Sequence, residues 1–357
     1  DDWAPFSPTL TRLVDLLSTR FNVRVLAFDT GRFDLGVLDQ RQYVRVPLPH
    51  PVASIVRAIG LLRVVRTFLL AIHIRKHASR TTQLVAIDAD GATATWLAQR
   101  RMHYLSLEVA RPSLASFLVP RFADSIVIQS KERLDYQFRA SSIAKLPVFY
   151  VQNAPIAPET LPRPHRCDPS HPKLVYMGNL IPTHGLLRML DLLRIWPEAT
   201  LTLQGVVTSS VSELMRDSYM DLFDSGRLSV ENRYLEETEI QGFLSEFDIG
   251  ICLYEPPTRG RMNFNYESSP SGKMFNYFAA GLPVLASRHV GLQPVSDYSA
   301  GIQAASNTAS DLHAAGLALC RNHEHYRRGA ISASRSFDFA RAANRFIEFL
   351  SSTHADR

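Results

Sequence analysis

Between Ser268 and Ser287 the sequence reads SSPSGKMFNYFAAGLPVLAS, and this window holds its most specifically placed chemistry. Pro270 and Ser271 open a helix whose first backbone N–H groups and positive dipole end can hold anionic oxygens, those of a phosphate above all. Lys273 puts a full positive charge in the first turn, which is unfavourable for the bare dipole and so calls for solvent or an anion. Gly281 closes the helix and Pro283 starts the next strand. Carboxylates form the second group. Asp88 and Asp90 follow the strand-like run Leu84–Ile87, and Glu108 follows His103–Leu107. At such strand ends a carboxylate can take a proton from a hydroxyl. Asp88 and Asp90 equally suit capping of the helix that begins near Ala92, and Glu108 an ion pair with Arg111 or a neighbour. His73, His77 and His103 are dispersed and are expected to play no catalytic part. Cys167, Cys252 and Cys320 are odd in number and far apart, without metal-ligand or disulfide spacing, which points to a reducing, cytosolic setting.

Alternating strand-length apolar runs and helical patterns predict the elements that position these groups. In the first half the strands are expected at 23–28, 43–46, 84–87, 103–107, 125–129 and 148–151, with helices at 7–19, 52–78, 92–101, 112–121 and 131–140. The chain opens directly into a helix pattern, so a first strand is expected to precede residue 1. Proline-rich residues 153–172 read as a linker. Beyond it, strands are expected at 174–177, 200–204, 228–230, 249–253 and 283–286, with helices at 184–195, 208–224, 237–245 and 272–280. An amphipathic helix over about 337–350 ends the chain. The expected architecture is α/β: two Rossmann-like doubly wound domains, 1–152 and 173–335, facing across a cleft. The segment 336–357 could pack back on the first domain. Ligands of such domains bind outside the carboxyl ends of the strands.

The window Pro270–Val284 resembles the Pro-Ser-Lys-Leu-Phe-Glu-Tyr-Met-Ala-Ala-Gly-Leu-Pro-Val pattern of the GT-B nucleotide-sugar glycosyltransferases, family 4 above all, with Gly272 added before the lysine. Weaker blocks keep the same order: ADSIVIQSK from Ala123, LVYMGN from Leu174, LTLQG from Leu201 and FDIGICLY from Phe247. The resemblance implies a donor diphosphate held by Lys273 and the amides of Met274 and Phe275, with Ser271, Gly178 and Asn179 beside it. Asn276 stands where the family has a ribose-binding glutamate, and Tyr234 and Leu235 match the segment that receives the base. Ser268 occupies the position of the family's other glutamate, with Glu267 one residue away. Asn179 and His184 replace two basic phosphate ligands. His184 is expected to be protonated beside the diphosphate, and Arg259 and Arg261 could restore charge. Asp88, Glu108 and His184 are the catalytic candidates. The donor loop has no Asp-x-Asp, so neither metal nor cofactor is expected, the nucleotide-sugar being a co-substrate.

The implied activity is transfer of a sugar from a UDP- or GDP-sugar to a hydroxyl of a glycan or lipid-linked acceptor, in cell-surface polysaccharide synthesis. A nucleotide-sugar epimerase of the same fold and a non-catalytic binding subunit are the alternatives, the second favoured by the missing glutamates and basic residues. Charge says where such a protein docks. The formal net charge of +5 divides into +8 over residues 1–152 and −3 over the remainder. From Arg41 to Arg80 there is no Asp or Glu. No nucleic-acid-binding motif accompanies the excess, so nucleic acid is not an expected partner. The apolar stretch from Val52 to Ile74 is interrupted by Arg57, Arg63 and Arg66, too often for a transmembrane span. It reads as a mostly buried helix with snorkelling arginines, or as a contact with an anionic membrane at the inner face.

Overall fold

A computed structural model describes residues 8–29, 43–47, 61–109, 113–158, 160, 167–255 and 264–355. It divides into two compact units, one of residues 1–153 with 339–357 and one of residues 154–338.

In the first unit, β1 (Val25–Asp29) and β2 (Tyr43–Pro47) pair in parallel as a two-stranded sheet. A separate four-stranded parallel sheet runs in the order β3 (Val85–Ile87), β4 (Met102–Ser106), β5 (Ala123–Ile128), β6 (Val148–Tyr150). Strand β4 is buried along its whole length, as a parallel strand covered on both faces must be. The helices are α1 (Pro8–Ser18), α2 (Leu62–His77), α3 (Asp88–Leu97), α4 (Leu114–Phe122), α5 (Lys131–Gln137) and α6 (Ala140–Ile143). Helix α3 packs between α2 and α4. The C-terminal helix Phe339–Ala355 packs its Phe339, Phe346, Ile347 and Leu350 against Leu13, Leu17, Leu105 and Val127. Gln83 Nε2 fastens it by donating to Leu350 O and Thr353 Oγ1, both at 3.1 Å.

Two expectations for this unit change. Helix α2 is not mostly buried: Thr67, Ala71 and Ile74 lie inside, whereas Val64, Phe68 and Ile72 are exposed. Asp88 caps nothing. It is the first residue of α3, at φ +51°, and its carboxylate turns to the end of β4 instead.

The second unit has six parallel strands: β7 (Lys173–Met177), β8 (Thr200–Gln204), β9 (Leu228–Glu231), β10 (Ile249–Cys252), β11 (Val284–Ala286) and β12 (Gly301–Gln303). Across the sheet they run β12-β11-β10-β7-β8-β9, the doubly wound order whose direction reverses between β7 and β10. The helices are α7 (Leu186–Ile195), α8 (Ser209–Asp224), α9 (Glu237–Leu244), α10 (Phe264–Ser268), α11 (Gly272–Ala279), α12 (Pro294–Asp297), α13 (Ala309–Arg321) and α14 (His323–Ser336). His184 does not begin α7. It closes a 3-10 turn, Pro182–His184, and Gly185 at φ +74° separates the two. A Cβ at Gly185 would collide with Leu253, so both the dihedral and the close approach demand glycine.

Candidate functional site

The reversal point of the second sheet gathers the polar groups. Strand β7 ends in Tyr176, Met177 and the glycine turn at Gly178, where φ is +129°. A Cβ on Gly178 would sit 3.4 Å from Lys273 Cε and 3.7 Å from its Nζ, so the lysine lies along the turn. Gly205, which ends β8, must also lack a side chain, because a Cβ there would strike the Gly178 carbonyl. Lys273 Nζ donates to Tyr176 Oη at 2.9 Å and stands 4.3 Å from the centre of that ring and 5.4 Å from that of Tyr254. The Tyr176 hydroxyl donates to Asn179 O at 2.8 Å. His184 Nδ1 is 3.2 Å from both Asn179 O and Tyr176 Oη, and its ring meets Tyr254 edge to face.

Tyr277 anchors the helix that carries Lys273. The two are four residues apart and share a face of α11. The Tyr277 hydroxyl accepts from Met177 N at 2.9 Å and donates to Ile251 O at 3.3 Å, which ties α11 to β7 and β10. Its ring fills the space left by Gly250, where a Cβ would stand 2.5 Å from Tyr277 Cγ. The exit of β10 is clamped as well. Ser287 Oγ accepts from Tyr254 N at 2.8 Å, and Asn307 Nδ2 donates to Tyr254 O at 2.9 Å and to Glu255 Oε1 at 2.7 Å.

At the start of α11, Ser271 is 3% exposed, and its hydroxyl lies beside the Cys252 thiol and the Tyr254 hydroxyl. The Phe275 amide reaches Ser271 O at 3.4 Å. The orphan donors of the first turn are therefore those of Gly272, Lys273 and Met274. A lysine and orphan amides at one helix N-terminus favour an anion.

Electrostatics set the charge that His184 carries in the protein alone. Burial, and then the neighbouring Lys273 charge, push it down to about 4, so the ring is neutral at pH 7. Asn179 O can only accept, so it favours the tautomer with the proton on Nδ1 and leaves the lone pair on Nε2.

The first unit has its own polar centre, where β3 and β4 end. Asp88 Oδ1 accepts from Leu107 N at 2.8 Å and Glu108 N at 3.0 Å. Burial pushes its carboxyl up to about 6, against the two amide bonds; Glu108 raises it further and Arg133 lowers it. Arg133 is buried, with Nη2 donating to Leu107 O at 2.8 Å. Beneath it Ser106 Oγ donates to Gln137 Oε1, and Gln137 Nε2 to Tyr104 Oη. Asp90 is 2.6 Å from Arg63 in an ion pair, whereas Glu108 is exposed.

No family model and no curated protein matches the sequence. Solved structures do. HepE of Anabaena, in complex with UDP and glucose, superposes with a TM-score of 0.64 at 16% identity, over 97% of this chain and 96% of that one. Sucrose-phosphate synthase of Thermosynechococcus elongatus gives 0.67 at 12% identity, over 97% and 92%. A putative UDP-N-acetylglucosamine 2-epimerase of Listeria monocytogenes gives 0.64 at 12%, over 99% and 95%. The chain has the GT-B fold.

In this GT-B chain the second unit brings Lys273, Ser271, Gly178, Asn179 and His184 together and adds Tyr176 and Tyr254, which sequence reasoning missed. Those tyrosines sit in or just after apolar strands, where an aromatic residue reads as core; only Tyr176's place beside the glycine turn signalled more. One assignment changes. The Phe275 amide is engaged within the helix, and the Gly272 amide is the orphan donor in its stead. The side chains of Met274 and Phe275 are core. Leu235 is also core, while Tyr234 beside it stands 69% exposed. Asn276 and Glu267 are half-buried on α11 and α10. Arg111, Arg259 and Arg261 lie outside the described residues. His103 is buried against Ser125 and two phenylalanines.

Proposed function

We propose that this protein is a metal-independent glycosyltransferase that moves a sugar from a UDP- or GDP-sugar to a hydroxyl of a glycan or lipid-linked acceptor, in cell-surface polysaccharide synthesis at the inner face of a membrane. The observation that carries the reading is Lys273, held along the Gly178 turn at the head of α11. The acceptor oxygen bonds to the sugar carbon as the bond from that carbon to the diphosphate breaks, and the nucleoside diphosphate departs with the electron pair. Lys273, the Gly272 and Met274 amides and Ser271 Oγ stabilise the charge that develops on it. Asp88, oriented by two amides, takes the acceptor proton.

Replacing Lys273 by alanine is expected to lower kcat by about 10²- to 10³-fold, the scale of losing one preorganised charge-stabilising group, and to weaken UDP or GDP binding in calorimetry. Unchanged binding and rate would overturn the reading. The likeness to an epimerase favours a second reading, epimerisation of the nucleotide-sugar. Incubation with donor alone separates the two, since an epimerase converts it without acceptor. Binding with neither reaction would mark a non-catalytic subunit. Chelation by EDTA is expected to leave the rate unchanged.

A further inference from the structure

Seven of the fourteen large apolar side chains exposed among the described residues come from one layer of the first unit, that of α2, α3 and α4. On α2, Val64, Phe68 and Ile72 recur every four residues, with Leu61 three before them, and so form one stripe. The buried Thr67, Ala71 and Ile74 face the other way. Helix α3 adds Trp96, and α4 adds Leu114 and Phe117 one turn apart. Val64, Phe68 and Phe117 are 64%, 59% and 55% exposed, far more than scattered surface leucines require.

Charge frames this surface with one sign. The stripe runs into Arg75 and Lys76, three and four residues beyond Ile72, then Arg80, all exposed. The Arg121 guanidinium lies 3.9 Å from the centre of the Phe117 ring. Of the two acidic residues of this layer, Asp88 is buried against the end of β4 and Asp90 is paired with Arg63.

We propose that the α2–α3–α4 layer is a docking face for an anionic lipid bilayer: Val64, Phe68, Ile72 and Phe117 enter the acyl boundary while Arg75, Lys76, Arg80 and Arg121 meet lipid phosphates. Aromatic and aliphatic side chains beside lysine and arginine are the composition of an interfacial surface. A second copy of the chain fits worse. An isologous contact must complement itself, and this face would set arginine and lysine against their own kind. The inference deepens the membrane part of the proposed function and holds whatever sugar is transferred.

The test is co-sedimentation of the full chain with vesicles of phosphatidylglycerol and phosphatidylcholine, against vesicles of phosphatidylcholine alone. The chain is expected to pellet with the anionic vesicles and to bind them less as salt rises. Phe68→Ser with Phe117→Ser is expected to lower the partition constant at least about tenfold. Lys76→Gln and Arg80→Gln are each expected to lower it about fivefold, on anionic vesicles only. All four side chains are exposed, so melting temperatures should match the parent protein. A parent protein that stays in the supernatant, or a double phenylalanine variant that binds as well as the parent, would overturn the proposal. So would a dimer in light scattering that Phe68→Ser dissolves, since a second copy would then be the occupant. Calorimetry with UDP on the same samples reads the donor site separately, so failure of one idea leaves the other standing.

Discussion

At the scale of single residues, Asp88 and His184 are among the groups whose titrations burial displaces, and each makes a prediction of definite sign. Asp88 is pushed up to about 6, so it gains its negative charge only as pH climbs through that value. If it is the base, kcat rises over the same range, and Asp88→Asn removes that limb and costs at least about 10²-fold in rate. A pH–rate profile unaltered in the variant would remove Asp88 from the mechanism. His184 has the opposite shift. Its pKa falls from the ordinary 6.5 to about 4, so the unfolded chain binds the proton more readily and folding stability is lost as pH drops through that window. The loss is at most about 3 kcal/mol, discounted for partial exposure. Denaturant titrations of the parent and His184→Gln at pH 7 and pH 4 measure it; equal losses would show that His184 contributes nothing. Lys273 was legible in the sequence because a lysine in the first turn of a helix conflicts with the dipole. The neutrality of His184 was not, because it comes from burial in the folded chain and then from Lys273, eighty-nine positions away in sequence.

At the scale of elements, the site depends on how closely α11 approaches the sheet. Gly250 is the spacer: with a methyl group there, the Tyr277 ring must move, and the hydroxyl leaves Met177 N and Ile251 O. Gly250→Ala is expected to destabilise the second unit by about 1–3 kcal/mol, as overpacked cores do, and to weaken UDP binding by displacing Lys273 from the Gly178 turn. Tyr277→Phe, which keeps the ring and loses the acceptor for Met177 N, should cost about 1–2 kcal/mol. Calorimetry on both variants checks this; a Gly250→Ala protein with the parent's affinity would show that α11 is not positioned through that contact. Strands β7 to β11 were legible because each is an apolar run ended by turn residues. Strand β12 was not, being only Gly301–Gln303, its central Ile302 flanked by a glycine and a glutamine. Helices α13 and α14 meet at Asn322 without a glycine or proline, so their break carries no punctuation in the sequence.

At the scale of the whole molecule, the chain crosses between its two units twice, at residues 153–154 and 338–339. The first crossing falls at the head of the proline-rich segment 153–172. Nothing in the composition around Asp338 marks the return; only the amphipathic period of the last helix hinted that it needed a partner. Its energetic weight can be bounded. Phe339, Phe346, Ile347 and Leu350 are each no more than 3% exposed. Losing one large side chain of this kind from a core costs about 2–5 kcal/mol, so losing four together costs about 8–20 kcal/mol, as much as or more than the roughly 5–15 kcal/mol that holds a domain folded. Removing residues 339–357 is therefore expected to unfold the first unit, including the polar centre at Asp88, while the second keeps its own sheet, Lys273 and its affinity for UDP. Calorimetric melting of the truncated chain should show the transition of the second unit alone. Two intact transitions would mean that the first unit carries its core without the C-terminal helix.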